Sequence, residues 1–169
     1  VRAGDVIPDI QGVELALRPD GTTPYYIDER YPKCPSCGGQ VANTGARNEK
    51  LGTSFECLDH QTCPAQLEQK LAHFFSRKGV NVDGIGAVFC HKLVENGYSS
   101  PAAVFRVSEE RMLELELASP AIIRKVFNQL HRKPFEVPFN KLLVGLAIPG
   151  VSEGTAKRIS NIMTFDQFR

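Results

Sequence analysis

Beyond residue 66 the apolar positions recur three and four apart, beginning with Leu67, Leu71, Phe74 and Phe75. That spacing places them on one helix face, where they can be buried together. The same period predicts helices over residues 87–95, 108–115, 121–131, 139–147 and 154–162, short and separated by turn-like pieces. Ser108 with Arg111 three residues on is a partial capping signature, and Glu109 and Glu110 suit a helix first turn. Nearer the start the period is two. Val13-Glu14-Leu15-Ala16-Leu17 alternates as a half-buried strand does, and Pro19-Asp20-Gly21 is turn chemistry. Residues 31–66 carry four cysteines among turn residues and too small a core to fold by burial alone. The pattern divides the chain into three regions. Residues 1–30 are β and loop, too little for a domain, and read as the last strands of a barrel or sheet. Residues 31–66 form a small cysteine module, and residues 67–169 a helical array. The expected class is mainly α.

Hydrophobic residues make up 42% of the chain and charged residues 23%, the balance of an ordinary folded soluble protein. No apolar run is long enough to span a membrane, and VRAGDVIPDI lacks the layout of a signal peptide. A cytoplasmic location is expected. With no initiating Met and an abrupt end at MTFDQFR, the chain reads as a segment of a longer protein. Net charge is +1, but it is unevenly spread. Residues 1–69 hold 6 Lys/Arg against 10 Asp/Glu, and residues 70–169 hold 14 against 9. A polyanion would therefore meet the back half.

Five cysteines in a chain without an export signal argue against a disulfide framework. Four of them form C-x2-C, a longer spacer, then C-x5-C: Cys34, Cys37, Cys57 and Cys63. Two cysteines three apart can both reach one ion, and Gly38 and Gly39 let the backbone turn beneath it with amides free to donate to sulfur. Four thiolates suit a closed tetrahedral Zn2+ site. With every position taken by protein, such an ion would be structural and not catalytic. His60 offers C-x2-H with Cys57 as an alternative fourth ligand. Cys63 is favoured because a thiolate binds zinc better and Cys63-Pro64 closes the loop before a helix. The plainer alternative is four free structural cysteines.

A repeat runs through the helical region. Val82-Asp83-Gly84-Ile85-Gly86 and Ile148-Pro149-Gly150-Val151-Ser152 both precede short helices. Leu117-Ala118-Ser119 stands midway between Gly84 and Gly150, so the triplets 84–86, 117–119 and 150–152 recur at one constant interval. Cys90, Ile123 and Ala156, each four residues beyond a triplet, should face back into their hairpins. Helix, Gly-hydrophobe-Gly turn, helix is the helix–hairpin–helix pattern. Its glycines let a phosphate approach unpaired amides at a helix N-terminus without reading base sequence. Candidate DNA contacts are Gly84, Ile85, Gly86, Gly150, Val151, Ser152, Gly154 and Thr155, supported by Arg77, Lys78, Lys157 and Arg158. The middle turn has lost both glycines and is expected to pack and not grip phosphate. Two plainer readings stand beside this one: the turns merely pack helices, or the chain is a non-enzymatic scaffold of a repair complex. Asn81 stands where a K-x-D-G motif would carry its lysine, so no catalytic nucleophile is expected there. Cys90 reads as packed, and His73, His91 and His131 as ordinary helix residues.

This combination resembles the C-terminal portion of bacterial NAD-dependent DNA ligases, over essentially the whole chain. Gly4-Asp5-Val6-Ile7-Pro8 is similar to that family's GDVIP near the end of its OB domain. Cys34-Pro35-Ser36-Cys37-Gly38 and Cys63-Pro64-Ala65-Gln66 resemble its zinc knuckles. His73-Phe74-Phe75-Ser76-Arg77-Lys78 with Val82-Asp83-Gly84-Ile85-Gly86 resembles its HFxSR…DGxG stretch. The resemblance implies Cys63 as the fourth ligand, and a parent enzyme that moves AMP from NAD through a lysine to a 5′-phosphate before sealing the nick. It implies that residues 1–30 end an OB barrel and that the hairpins meet the minor groove of a nicked duplex. It places the adenylated lysine, NAD and Mg2+ in upstream domains, a further hairpin one period beyond the last, and a BRCT domain after that. The middle turn departs from the family's glycine pattern.

Overall fold

The structure, a computed structural model of the chain, describes residues 14–22, 32–43, 55–132 and 136–168. The expected GDVIP match at residues 4–8, and Val13 of the expected strand, lie outside these. The chain divides into two units, Val1–Pro32 and Lys33–Arg169.

In the first unit the described part of the expected strand is a single 3-10 turn, Leu15–Leu17, closed by the Leu17 amide donating to Glu14 O at 3.3 Å. Alternation demands a neighbouring strand to complete the backbone pairing. No strand is present among the described residues of this unit, and a local turn satisfies the backbone instead. The Pro19-Asp20-Gly21 turn is present, closed by the Thr22 amide on Pro19 O, with Gly21 at φ 82°.

The second unit opens on two antiparallel strands, β1 (Val41–Asn43) and β2 (Phe55–Cys57), paired Val41 to Cys57. Among the described residues eight helices follow: α1 (Pro64–Phe75), α2 (Ala87–Glu95), α3 (Pro101–Val104), α4 (Glu109–Glu114), α5 (Pro120–Leu130), α6 (Phe139–Gly145), α7 (Glu153–Ile162) and α8 (Phe165–Phe168). Their starts follow from local chemistry. Proline takes the first position of α1, α3 and α5, where its missing N–H costs nothing. Ser100, Ser108 and Ser152 cap α3, α4 and α7 by accepting from the amides of Ala103, Arg111 and Thr155. Ser108 thus caps fully although no Glu follows at the third position. Helices α3 and α8 escape the periodicity argument because four residues make barely one turn.

The helices pair as α1 with α2, α4 with α5 and α6 with α7, and α1 also lies against α6. The repeat is visible in this fold. Gly86, Ser119 and Ser152 are each the N-cap of the second helix of a pair. Cys90, Ile123 and Ala156, four residues on, are all completely buried. Their amides close the first helical turn onto the carbonyls of Gly86, Ser119 and Ser152.

The main core joins the first two hairpins. It includes Leu71, Phe75, Leu93, Val104, Met112, Leu117, Ile123 and Val126, none more than 2% exposed. Fully burying one such side chain stabilises a fold by about 1.5–3 kcal/mol, so this cluster is the main source of stability. Leu143, Val144 and Ala156 form a smaller core in the third hairpin. Isolated histidines serve as links here. His73 Nε2 lies 2.8 Å from Val144 O, tying α1 to α6. His91 stands between Glu68 on α1 (3.0 Å) and Glu95 on α2 (3.3 Å), and the Glu68 carboxylate beside it raises its pKa. His131 stacks on Phe127.

Candidate metal centre and nucleic-acid interface

The cysteine module folds around its sulfurs. Cys34, Cys37 and Gly38 form a tight turn in which the Gly38 amide donates to Cys34 O at 2.8 Å, and Gly39 O accepts from the Cys34 amide at 2.8 Å. The Gly39 amide donates to Cys37 Sγ at 3.4 Å. β2 delivers Cys57, and Cys63 is the residue that begins α1 as its N-cap. The four sulfurs lie within 4.8 Å of one another, with Cys34 to Cys63 at 3.8 Å and Cys37 to Cys57 at 3.5 Å. Thiolates bound about 2.3 Å from one tetrahedral zinc stand roughly 3.8 Å apart, so this donor set fits Zn2+. Cys63 also places its sulfur at the positive end of a helix dipole.

The thiol equilibria fit the same use. Backbone amides of Cys37 and Ser36 bring the Cys34 thiol down to about 7. At Cys37 the Gly39 amide pulls the same way, but burial and the neighbouring sulfurs outweigh it and push the thiol up to about 12. Sulfurs this close cannot all ionise unless a cation sits among them. Among the described residues little else holds the module: its core is Cys34, Cys57 and Cys63 with Val41 packed against them.

His60, the alternative ligand, faces elsewhere. Its Nδ1 is 2.8 Å from Gln66 Oε1 and 3.7 Å from Glu56. Gln66 donates in turn to Cys57 O at 2.7 Å, so the Cys63-Pro64-Ala65-Gln66 string laces the knuckle to α1. Helix α1 begins at Pro64, inside the region expected to be purely cysteine module. One residue is both candidate ligand and helix cap, so the module and the first helix are continuous.

The first and third turns share a backbone geometry. Asn81 (φ 56°) and Gly84 (φ 108°) are left-handed in the first, and Ala147 (φ 50°) and Gly150 (φ 82°) stand at the equivalent places in the third. The middle turn differs, with only Glu116 (φ 48°) left-handed among its residues. Gly84 is held by the second hairpin. A Cβ there would stand 2.8 Å from Val126 Cγ2. The Asp83 backbone is gripped by Gln129, which accepts from its amide (3.0 Å) and donates to its carbonyl (2.8 Å). Lys125 pairs with the Asp83 carboxylate and holds it below the usual range. Helix α5 therefore packs against the first turn.

Gly86 is different. It starts α2 without a side-chain cap, and a Cβ there would meet nothing within 4 Å. A Cβ on Gly150 would also meet open space. Ile85 is buried, Val151 half-buried, and Gly154 exposed. The Thr155 amide is already taken by Ser152 Oγ at 3.3 Å. Arg77 borders the open concavity of the first turn and also a second, between the first and third hairpins, lined by Lys78, Lys141, Glu153 and Lys157. Arg158 lies on the exposed side of α7. Lys141 and Glu153 were not singled out from the sequence. Nothing local marks them, because Arg77 and Lys78, their neighbours in space, stand two hairpins earlier in the chain. Cys90 is packed, and burial pushes its thiol up to about 11.

No protein-family model matches the chain. Among curated proteins it is similar to a DNA ligase of Stutzerimonas stutzeri, 33% identical over 96% of this chain and 21% of that protein. A DNA ligase 1 of Nocardia farcinica is 34% identical over 94% of the chain and 23% of its own length. A DNA ligase of Halorhodospira halophila is 34% identical over 94% and 22%. The chain spans about a fifth of the length of the curated relatives it matches. With nearly the whole sequence aligned and four clustered cysteines able to hold a metal, the chain is a homologue of one segment of the DNA ligases.

Proposed function

We propose that this chain is the duplex-gripping, non-catalytic segment of an NAD-dependent DNA ligase acting in replication and repair. The observation that carries the reading is the paired geometry of the first and third turns. Two helix-starting turns repeat the same left-handed positions two periods apart, and Gly86 and Gly150 leave open space where a side chain would stand. A phosphate can come up to amides at such a site, and Arg77, Lys78 and Lys157 add charge without selecting a base. Under this reading Cys34, Cys37, Cys57 and Cys63 hold a structural Zn2+ that fixes the start of α1 and performs no chemistry. Residues 1–30 end an OB barrel, residues 67–169 are a helix–hairpin–helix domain, and the protein works in the cytoplasm on nicked duplex. The adenylated lysine, NAD and Mg2+ belong to adenylation and OB regions on the amino-terminal side, so this segment binds but does not ligate. The second hairpin supports the first turn through Gly84 and Asp83 and contributes packing in place of a phosphate site.

Fluorescence anisotropy with a labelled nicked duplex tests the reading. Affinity should fall about a hundredfold or more between 50 and 200 mM salt if five or so phosphates are neutralised. Affinity independent of salt would remove the electrostatic interface. Gly86→Val should weaken binding severalfold while melting close to the parent, since its side chain would enter open space. Unchanged affinity in that folded variant would reduce the first turn to a packing element.

A further inference from the structure

The concavity between the first and third hairpins gathers four cations, Arg77, Lys78, Lys141 and Lys157, around one carboxylate, Glu153. Lys78 Nζ stands 3.5 Å from Glu153 Oε1. Lys141 is oriented into the same place by donating to Arg77 O at 3.3 Å. Glu153 is the first residue of α7, but Ser152 already caps that helix through the Thr155 amide. The carboxylate is therefore free to serve the concavity. Its counterpart two periods earlier, at the start of α2, is Ala87; the carboxylate of the first turn, Asp83, is paired instead with Lys125 of the second hairpin. The ion pair is exposed, its side chains 72% and 59% accessible, which makes it weak and exchangeable.

We propose that Glu153 is an internal stand-in for a DNA phosphate: it holds Lys78 while the chain is free and competes with the duplex for it. This rests on the DNA-binding reading above. A phosphate arriving at this concavity must displace Glu153 from Lys78, so the concavity grips more weakly than its four cations alone would allow. The consequence is a yielding contact where the two hairpins meet, which sets how readily the segment releases duplex.

The test is anisotropy on the same labelled nicked duplex with the wild-type chain, Glu153→Gln, Ala87→Glu and Lys78→Ala/Glu153→Gln. Gln keeps the shape of Glu and removes its charge. Glu153→Gln should bind about two- to fivefold tighter, the scale of one exposed charge at a helix start. Its salt slope should steepen, by up to about one, because Lys78 is then free for phosphate. The gain should shrink in the double variant. Ala87→Glu should weaken binding by a similar factor, since position 87 is exposed and can accept the change. Equal or weaker binding by Glu153→Gln, with wild type still binding, overturns the stand-in role and leaves the DNA reading in place. No duplex binding by wild type overturns the reading on which it rests.

Discussion

Cys63→Ser is expected to cost the chain most of its zinc, measured by elemental mass spectrometry against about one equivalent in the parent. Four thiolates around one ion supply a folding free energy of about 10–16 kcal/mol in small zinc modules at neutral pH. Here that energy has no substitute, because the described core of the module is three of the sulfurs and Val41. Stripping the metal with a chelator should therefore unfold residues 33–63 while leaving the helical core, which shares none of those residues. Circular dichroism should retain most of its helical signal, and proteolysis should cut first before Pro64. Serine at position 63 can still cap α1, where Cys63 makes no side-chain cap bond, so any fraying at the start of α1 in this variant reports loss of the metal. His60→Ala should keep its zinc. A full equivalent retained without Cys63, or lost with His60, would reverse the assignment of the fourth ligand.

Gly79→Ala should be the most damaging small substitution in the helical region. A methyl at that position would stand 2.2 Å from Phe74 O and 2.9 Å from His73 O, both backbone atoms that cannot swing aside. The closeness has a local cause. After Phe75 the chain wraps over the end of α1, with the amides of Val80 and Val82 donating back to the carbonyls of Phe74 and Phe75. Gly145 lies against the other side, where an added Cβ would meet Gly79 Cα at 3.3 Å. An added methyl must push apart either this cap or the α1–α6 contact, at a cost of about 2–4 kcal/mol. For a domain of this size that is a loss of about 10 °C or more in Tm by calorimetry. Gly86→Ala in the same turn should leave Tm close to the parent, so the pair separates packing from function. Equal melting temperatures for the two variants would refute the steric account.

Glycines in one turn thus do three different jobs that the sequence writes with one letter. Gly79 gives way to backbone, and Gly84 is left-handed and pressed by Val126. Gly86 faces space. A G-x-G string reads the same whether its glycines serve packing or a ligand. The same blindness hid Lys141 and Glu153, whose importance depends on a neighbour brought close by folding. Over residues 14–17 the expected strand is replaced by a 3-10 turn for a related reason: alternation records which side chains could be buried, not whether a partner strand pairs with them, and none does among the described residues of that unit.

Much was nonetheless determined by the sequence alone. The spacing of Cys34 with Cys37, and of Cys57 with Cys63, puts each pair within reach of one ion, and the β1–β2 pairing of Val41 with Cys57 then brings the two pairs together. The longer helices follow from apolar period and capping chemistry within each segment, and the phase of the repeat places Gly86, Ser119 and Ser152 alike at helix starts. These are properties of local chain geometry. Only the tertiary structure decided that His60 turns to Gln66. It decided that the second hairpin grips the Asp83 backbone through Gln129. It also decided that Arg77, Lys78, Lys141, Glu153 and Lys157 meet in one concavity. The last two depend on contacts between residues far apart in the chain and follow from how the hairpin faces pack, while the first depends on how the knuckle turns onto the start of α1; no local pattern encodes any of them.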